Sequence, residues 1–134
     1  REIVDFWGGW WYNKRYRKEI KMQIEVKNVK LCVMVPREYT EVLRKAMGEY
    51  ECGIQGNYSE CMNITECHCT FRPNDKANPF RGSKGKLEHS LEDKIEVTCK
   101  IDKVKGLIEV IKKVHPYEEV GIDIYPLIDV DNFK

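Results

Sequence analysis

Two hydrophobic periods alternate along this chain, and the switches between them mark its elements. A compact apolar run ends at Val35, and Lys30 to Val35 reads as a short, largely buried strand. Pro36 then leads into a segment whose apolar positions are Tyr39, Val42, Leu43, Ala46, Met47 and Tyr50. That spacing is one stripe of an amphipathic helix, and Gly53 is the expected stop. Gly56-Asn57 opens a long extended segment from Tyr58 to Phe71. Residues 73–86 hold Pro73, Asn74, Asp75, Asn78 and Pro79 and then Gly82 and Gly85, the chemistry of a loop. Leu91 to Ile101 returns to period 2, with Ile95, Val97, Cys99 and Ile101 facing one way and Glu96, Thr98 and Lys100 the other. Asp102 is the expected N-cap of a second helix, striped by Val104, Leu107, Ile108, Ile111 and Val114 and ended by Pro116. Val120, Ile122 and Ile124 alternate along a last strand that Pro126 closes.

The order is β-α-β-β-α-β, an α+β chain. Each βαβ half places its helix on the same side of one antiparallel sheet, the ferredoxin-like sandwich. Two helical stripes cover one sheet face only, so the other face is expected to meet solvent or a sister subunit.

Residues 1–21 follow neither period. They concentrate Phe6, Trp7, Trp10, Trp11, Tyr12 and Tyr16 with Lys14, Arg15, Arg17 and Lys18, and read as an aromatic and basic N-terminal extension. Residues 22–134 form the ferredoxin-like domain. Met22 is expected to be the natural start, with residues 1–21 either foreign to the native protein or read from leader sequence. Rings beside cations suit single-stranded nucleic acid in composition, but no RNA-binding motif frames them, and nucleic acid is not the expected partner.

Composition excludes more than it selects. With 42% hydrophobic and 34% charged residues and a formal net charge of +1, the chain has the make-up of a globular domain, and its overall charge selects no partner. No apolar run approaches the ~20 residues of a membrane span, and the N-terminus lacks the apolar core of a signal peptide. Six cysteines without an export signal are expected to be reduced thiols of a cytoplasmic protein.

Four places are candidates for chemistry. At the helix–strand junction His115-Pro116-Tyr117-Glu118-Glu119, an imidazole and carboxylates suit a divalent metal or acid–base work, with His115 and Glu118 as the metal candidates. The structural alternative is a histidine capping the helix end while Tyr117 packs. Cys67-His68-Cys69 lacks the Cys-x-x-Cys spacing of structural zinc, and Cys67, Cys69 and Phe71 alternate as small core residues would. The turn Gly56-Asn57-Tyr58-Ser59 offers a close backbone approach, with Tyr58 as a ligand contact. The loop adds Arg72, Lys76, Arg81, Lys84 and Lys86, with Asp75 as the acid among them. Its cations suit an anionic ligand or an acidic partner, and anchoring by Asn78-Pro79-Phe80 is the structural alternative.

Several of these motifs recur in one known order. Leu31 to Pro36, Gly56-Asn57-Tyr58-Ser59, Cys61, Thr70-Phe71-Arg72-Pro73, Asn78-Pro79-Phe80, Gly82, Gly85-Lys86-Leu87-Glu88, His115 to Glu119 and Asp123 to Leu127 together resemble the Nif-three-like (NGG-one-interacting factor three) family. The resemblance covers roughly residues 29–128 and falls on the domain inserted into that family's metal-binding body, which small stand-alone proteins also carry. It departs after Glu119, where the family's Pro-Ala-Tyr-Asp is Val120-Gly121-Ile122-Asp123. That inserted domain is similar to CutA and PII-type proteins, which implies a homotrimer paired through sheet edges and a ligand-reaching loop between the second and third strands. The family's metal ligands, and the name GTP cyclohydrolase attached to some members, go with the body, which this chain is expected to lack. What the resemblance implies is a non-catalytic binding or regulatory module for a small anionic ligand, a metal ion or a protein partner. Arg72, Arg81, Lys84 and Lys86 are the expected anion contacts, and His115, Tyr117 and Glu118 the expected wall of a cleft between subunits. No cofactor beyond a divalent metal is expected. The competing expectation is a metal-assisted hydrolase acting at the His115–Glu119 junction.

Overall fold

The computed structural model describes residues 4–7, 10–13 and 23–134. Strands β1 (Val4–Trp7) and β2 (Trp10–Asn13) pair as a short antiparallel hairpin in the aromatic segment. The nucleic-acid reading of Lys14 to Lys18 and the start at Met22 lie outside the described residues.

Six further elements follow: β3 (Asn28–Pro36), α1 (Thr40–Glu49), β4 (Met62–Phe71), β5 (Glu88–Lys100), α2 (Val104–Val114) and β6 (Ile122–Pro126). The last four strands form one antiparallel sheet in the order β4-β5-β3-β6. Each helix therefore crosses back over a strand inserted between the two it joins, which is the ferredoxin-like topology the alternating periods predict.

The core lies between the sheet and the helices. Val29, Leu31, Val33 and Val35 of β3 and Ile95, Val97 and Cys99 of β5 meet Leu43 and Met47 of α1 and Leu107 and Ile111 of α2. Fully burying each aliphatic side chain contributes about 1.5–3 kcal/mol, so this layer is the main source of stability.

Several expected details shift. Each helix is entered through a 3-10 turn, Arg37–Tyr39 and Ile101–Lys103. Asp102 sits inside the second turn and does not cap α2, whose N-cap position is Lys103. The same turn carries Ile101 off the strand and leaves it exposed. Val42 is also exposed, because the buried stripe of α1 is narrower than the apolar one. The helix ends at Glu49, four residues before the expected Gly53, and Glu51 takes a left-handed φ of 60°. Gly53 serves a different purpose. Its φ is +75°, and a Cβ there would lie 2.5 Å from the Cys61 carbonyl oxygen, because its own carbonyl accepts the Cys61 N–H at 2.8 Å and holds the two backbones together. β6 starts at Ile122, two residues later than expected. Cys67, Cys69 and Phe71 are half-buried on the helix-free face and lie outside the core.

That second face divides into two parts. Lys30, Lys94, Glu96, Thr98 and Asp123 make one part polar, with a Lys94–Glu96 ion pair at 3.4 Å. The loop of residues 72–87 folds over the other part, where β4 leaves the sheet and β5 enters it. The expected bare surface for sister copies is thus partly roofed by the chain itself.

Candidate functional site

The loop and the 115–121 segment enclose a cleft of about 650 Å³ over the helix-free face. Its floor is Met34, Cys69, Phe71 and Glu92, its roof runs from Arg72 to Arg81, and one wall is Tyr117 to Gly121.

The wall is built from the end of a strand ladder. β6 pairs with β3 as far as Ile122–Val33. At the next residue Gly121 accepts from the Met34 N–H at 3.1 Å, and His115 Nε2–H donates to the Met34 carbonyl at 2.6 Å. His115 Nδ1 accepts the Tyr117 backbone N–H at 3.1 Å. The imidazole is only 6% exposed, and both nitrogens are engaged. It closes the backbone that helix and strand leave open, joining α2 to β3 instead of capping helical carbonyls.

Tyr117 is thereby aimed at Glu92. Its hydroxyl donates to Glu92 Oε1 at 2.6 Å, and Ser90 Oγ donates to the same oxygen at 3.0 Å. Glu92 is 4% exposed, so the two donors replace the water that a carboxylate needs. Burial, followed by the hydrogen bond to Glu92, pushes the Tyr117 phenol well above its ordinary value and keeps it a donor. An aromatic series runs outward from the wall. His115 and Tyr117 centroids are 5.0 Å apart, Tyr117 and Phe80 6.0 Å, and Phe80 and Tyr39 5.9 Å.

The roof is fastened at several points. Glu118 accepts the Asn78 N–H at 2.8 Å, Arg81 pairs with Glu38, and Arg72 donates to the Gly85 carbonyl at 2.6 Å. Of the anticipated residues, Arg72, Arg81, Tyr117 and Glu118 come together around this cleft. Lys84 and Lys86 lie on the exposed outer loop and do not line it. Tyr58 is 76% exposed in a tight Gln55–Tyr58 turn, also away from it. The wall holding Tyr117 and Glu118 is made within one chain.

A metal does not fit His115 and Glu118 as they stand. Both imidazole nitrogens and one carboxylate oxygen already hold backbone groups, and among the described residues no three His, Cys, Asp or Glu side chains converge as ligands. A catalytic metal of the zinc type asks for three protein ligands and an open position.

Two contributors, Glu92 and Ser90, were missed in the sequence, and Lys76 was counted among the loop's cations but not among the expected anion contacts. Glu92 occupies an outward position of an alternating strand and reads there as a solvated residue. Ser90 shares its face. Lys76 lines the roof and makes no ion pair among the described residues. Only the cationic composition of the loop pointed toward it.

Known proteins share this architecture. No family model matches the chain. A GTP cyclohydrolase 1 type 2 homolog of Bacillus subtilis is 43% identical over 98 residues, which is 73% of this chain and 26% of that relative. The chain thus spans about a quarter of the length of the curated relatives it matches. A Bacillus cereus protein related to NIF3 superposes with a TM-score of 0.69 at 34% identity, over 81% of this chain and 27% of that one. CutA from Synechococcus elongatus superposes with a TM-score of 0.59 at 15% identity, over 79% and 81%, and shows a common fold. The ferredoxin-like domain described above, with its 43% and 34% identities, makes this chain a member of the NIF3-like family.

Proposed function

We propose that this chain is a non-catalytic binding module that takes a small anionic ligand in the cleft roofed by residues 72–87. The observation that carries the reading is the cleft itself. A half-open cleft of about 650 Å³, lined by Phe71, Phe80 and Tyr117 with a few fixed polar groups, has the size and make-up of a ligand site. Lys76 offers the cation for the ligand. Arg81 lies 5.6 Å above the Phe80 ring and joins it by exchanging Glu38 for the ligand, and Arg72 stiffens the roof. The ordered loop is the part that a bound ligand would move or lock.

Self-association as a homotrimer belongs to the same proposal. Among the described residues, β4 and β6 are the two open edges of the sheet. Each exposes apolar side chains, Ile64 at 45% and Tyr125 at 54%, of the kind that edge pairing covers. Six unpaired thiols support a reducing, cytoplasmic setting.

Binding is tested by saturation-transfer NMR of the intact chain against a panel of small phosphates, carboxylates and nucleotides. Transfer to one class, lost in Lys76→Ala and Tyr117→Ala and kept in Lys84→Ala, is the expected result. Equal transfer in all three variants would remove the cleft from consideration. Sedimentation at micromolar concentration tests the assembly, and a lone particle overturns it.

A further inference from the structure

The cleft leaves unused a pair of imidazoles on the opposite side of the sheet. The helices do not reach the outer part of the β4–β5 hairpin, where Ile64 and Leu91 face the helix side yet are 45% and 57% exposed. His68 stands opposite Leu91 and His89 opposite Thr70, so the two histidines are diagonal neighbours on that same face. His68 Nε2 and His89 Nδ1 approach to 2.9 Å, with ring centroids 5.0 Å apart and ring planes tilted by 37°. Both residues are exposed.

We propose that His68 and His89 form a surface chelate for a borderline divalent transition cation of the zinc or nickel class. This does not rest on the ligand reading of the cleft. Two imidazole nitrogens at tetrahedral angles around zinc, each at ~2.0–2.1 Å, lie ~3.3 Å apart. The pair stands about 0.4 Å short of that, a change that small rotations about the exposed side-chain bonds supply. Two rigid neighbouring strands hold the rings together before any ion arrives, so little ordering is left to binding. Neutral imidazole suits zinc and nickel, whereas magnesium and calcium ask for oxygen.

Proton accounting is simple. The hydrogen-bonded pair keeps one proton between the facing nitrogens, and that proton moves through solvent to the far nitrogen of the same ring. Both rings stay neutral, both facing lone pairs become available, and no net proton is released. Glu66, on the same face, is held by Arg37 at 3.2 Å and is not counted as a ligand. Two protein ligands leave the remaining positions to water, which makes the site weaker and faster-exchanging than a structural zinc centre.

The chain contains three histidines, so an NMR titration of the imidazole resonances of the intact protein reads the site directly. With zinc alone as the probe, the His68 and His89 signals should shift together and saturate at one ion per chain, while buried His115 stays still. His68→Gln and His89→Gln should each weaken zinc at least tenfold in calorimetry, and the double variant should be little worse than either, because one lost arm already destroys the chelate. Both positions are exposed, and an unchanged melting temperature verifies the fold of each variant. Unchanged affinity in both variants overturns the proposal. So does a thiolate charge-transfer band with cobalt, which would place the ion on the cysteines.

Discussion

Replacing Tyr117 by phenylalanine removes one oxygen and tests the centre of the cleft. The ring keeps its neighbours Phe80 and His115, so packing changes little. What disappears is a 2.6 Å donor to a carboxylate that is 4% exposed. A hydrogen bond to a charged acceptor is worth about 1.5–3 kcal/mol, and Glu92 keeps the Ser90 hydroxyl at 3.0 Å, which holds the expected loss near 2 kcal/mol. With a urea slope of roughly 2 kcal/mol/M for a domain of this size, the midpoint should fall by about 1 M with the slope unchanged. The melting temperature should drop by roughly 5–12 °C. A double-mutant cycle with Glu92→Gln should return a coupling above about 1 kcal/mol. A loss below about 0.5 kcal/mol, or a cycle that closes with no coupling, would refute the account of Glu92 as a buried carboxylate held by Tyr117.

Three other outcomes follow from the core and its thiols. Burial and the neighbouring Cys99 thiol, 3.5 Å away, push the Cys52 thiol up to about 12. A group whose folded value is raised contributes stability that is complete below its unfolded value and fades as pH rises through the folded one. Urea midpoints should therefore decline between about pH 9 and pH 12, and less steeply in Cys52→Ala. For the same reason, alkylation of the native protein at neutral pH should modify half-buried Cys61 and Cys67 well before buried Cys52 and Cys99, as peptide mass spectrometry would show; early loss of Cys52 would contradict the packing. Gly106→Ala places a methyl group on the Tyr50 hydroxyl where α1 meets α2. It should cost about 1–3 kcal/mol in chemical denaturation, part of which Tyr50→Leu in the same chain restores.

The order of elements was legible because each core position repeats with the period of its own strand or helix. Leu31, Val33 and Val35 alternate, Leu107 and Ile111 lie one turn apart, and all five are buried. Boundaries were less legible where a 3-10 turn intervenes. Asp102 has the right chemistry for a cap, but the turn from Ile101 to Lys103 moves the helix start beyond it. The site was legible only in the residues that touch it from one contiguous stretch. Tyr117 and Glu118 stand out beside Pro116, and the loop announces its cations. Glu92 does not stand out, since its meaning depends on a tyrosine 25 positions away. His68 and His89 share this difficulty. Each is an isolated histidine until the β4–β5 register sets them side by side.

One loop performs two tasks here, and they constrain each other. Residues 72–87 roof the cleft and cover the part of the helix-free face nearest Glu92. The uncovered part carries Lys30, Lys94, Glu96 and Asp123, charges that a face-to-face partner would have to desolvate at considerable cost. Face stacking of sister copies is thus disfavoured twice over, by the roof and by the charges beside it. Among the described residues the edges are not so protected: β4 and β6 each present an unpaired ladder side with apolar residues beside it. Assembly through those edges leaves the face free and the loop outward, so a ligand held by Tyr117 and Lys76 would be sensed where a partner protein can reach it. On the proposed edge pairing, a charged substitution on the exposed edge, Ile64→Lys, should therefore leave a lone particle while the proposed ligand binding in the cleft persists.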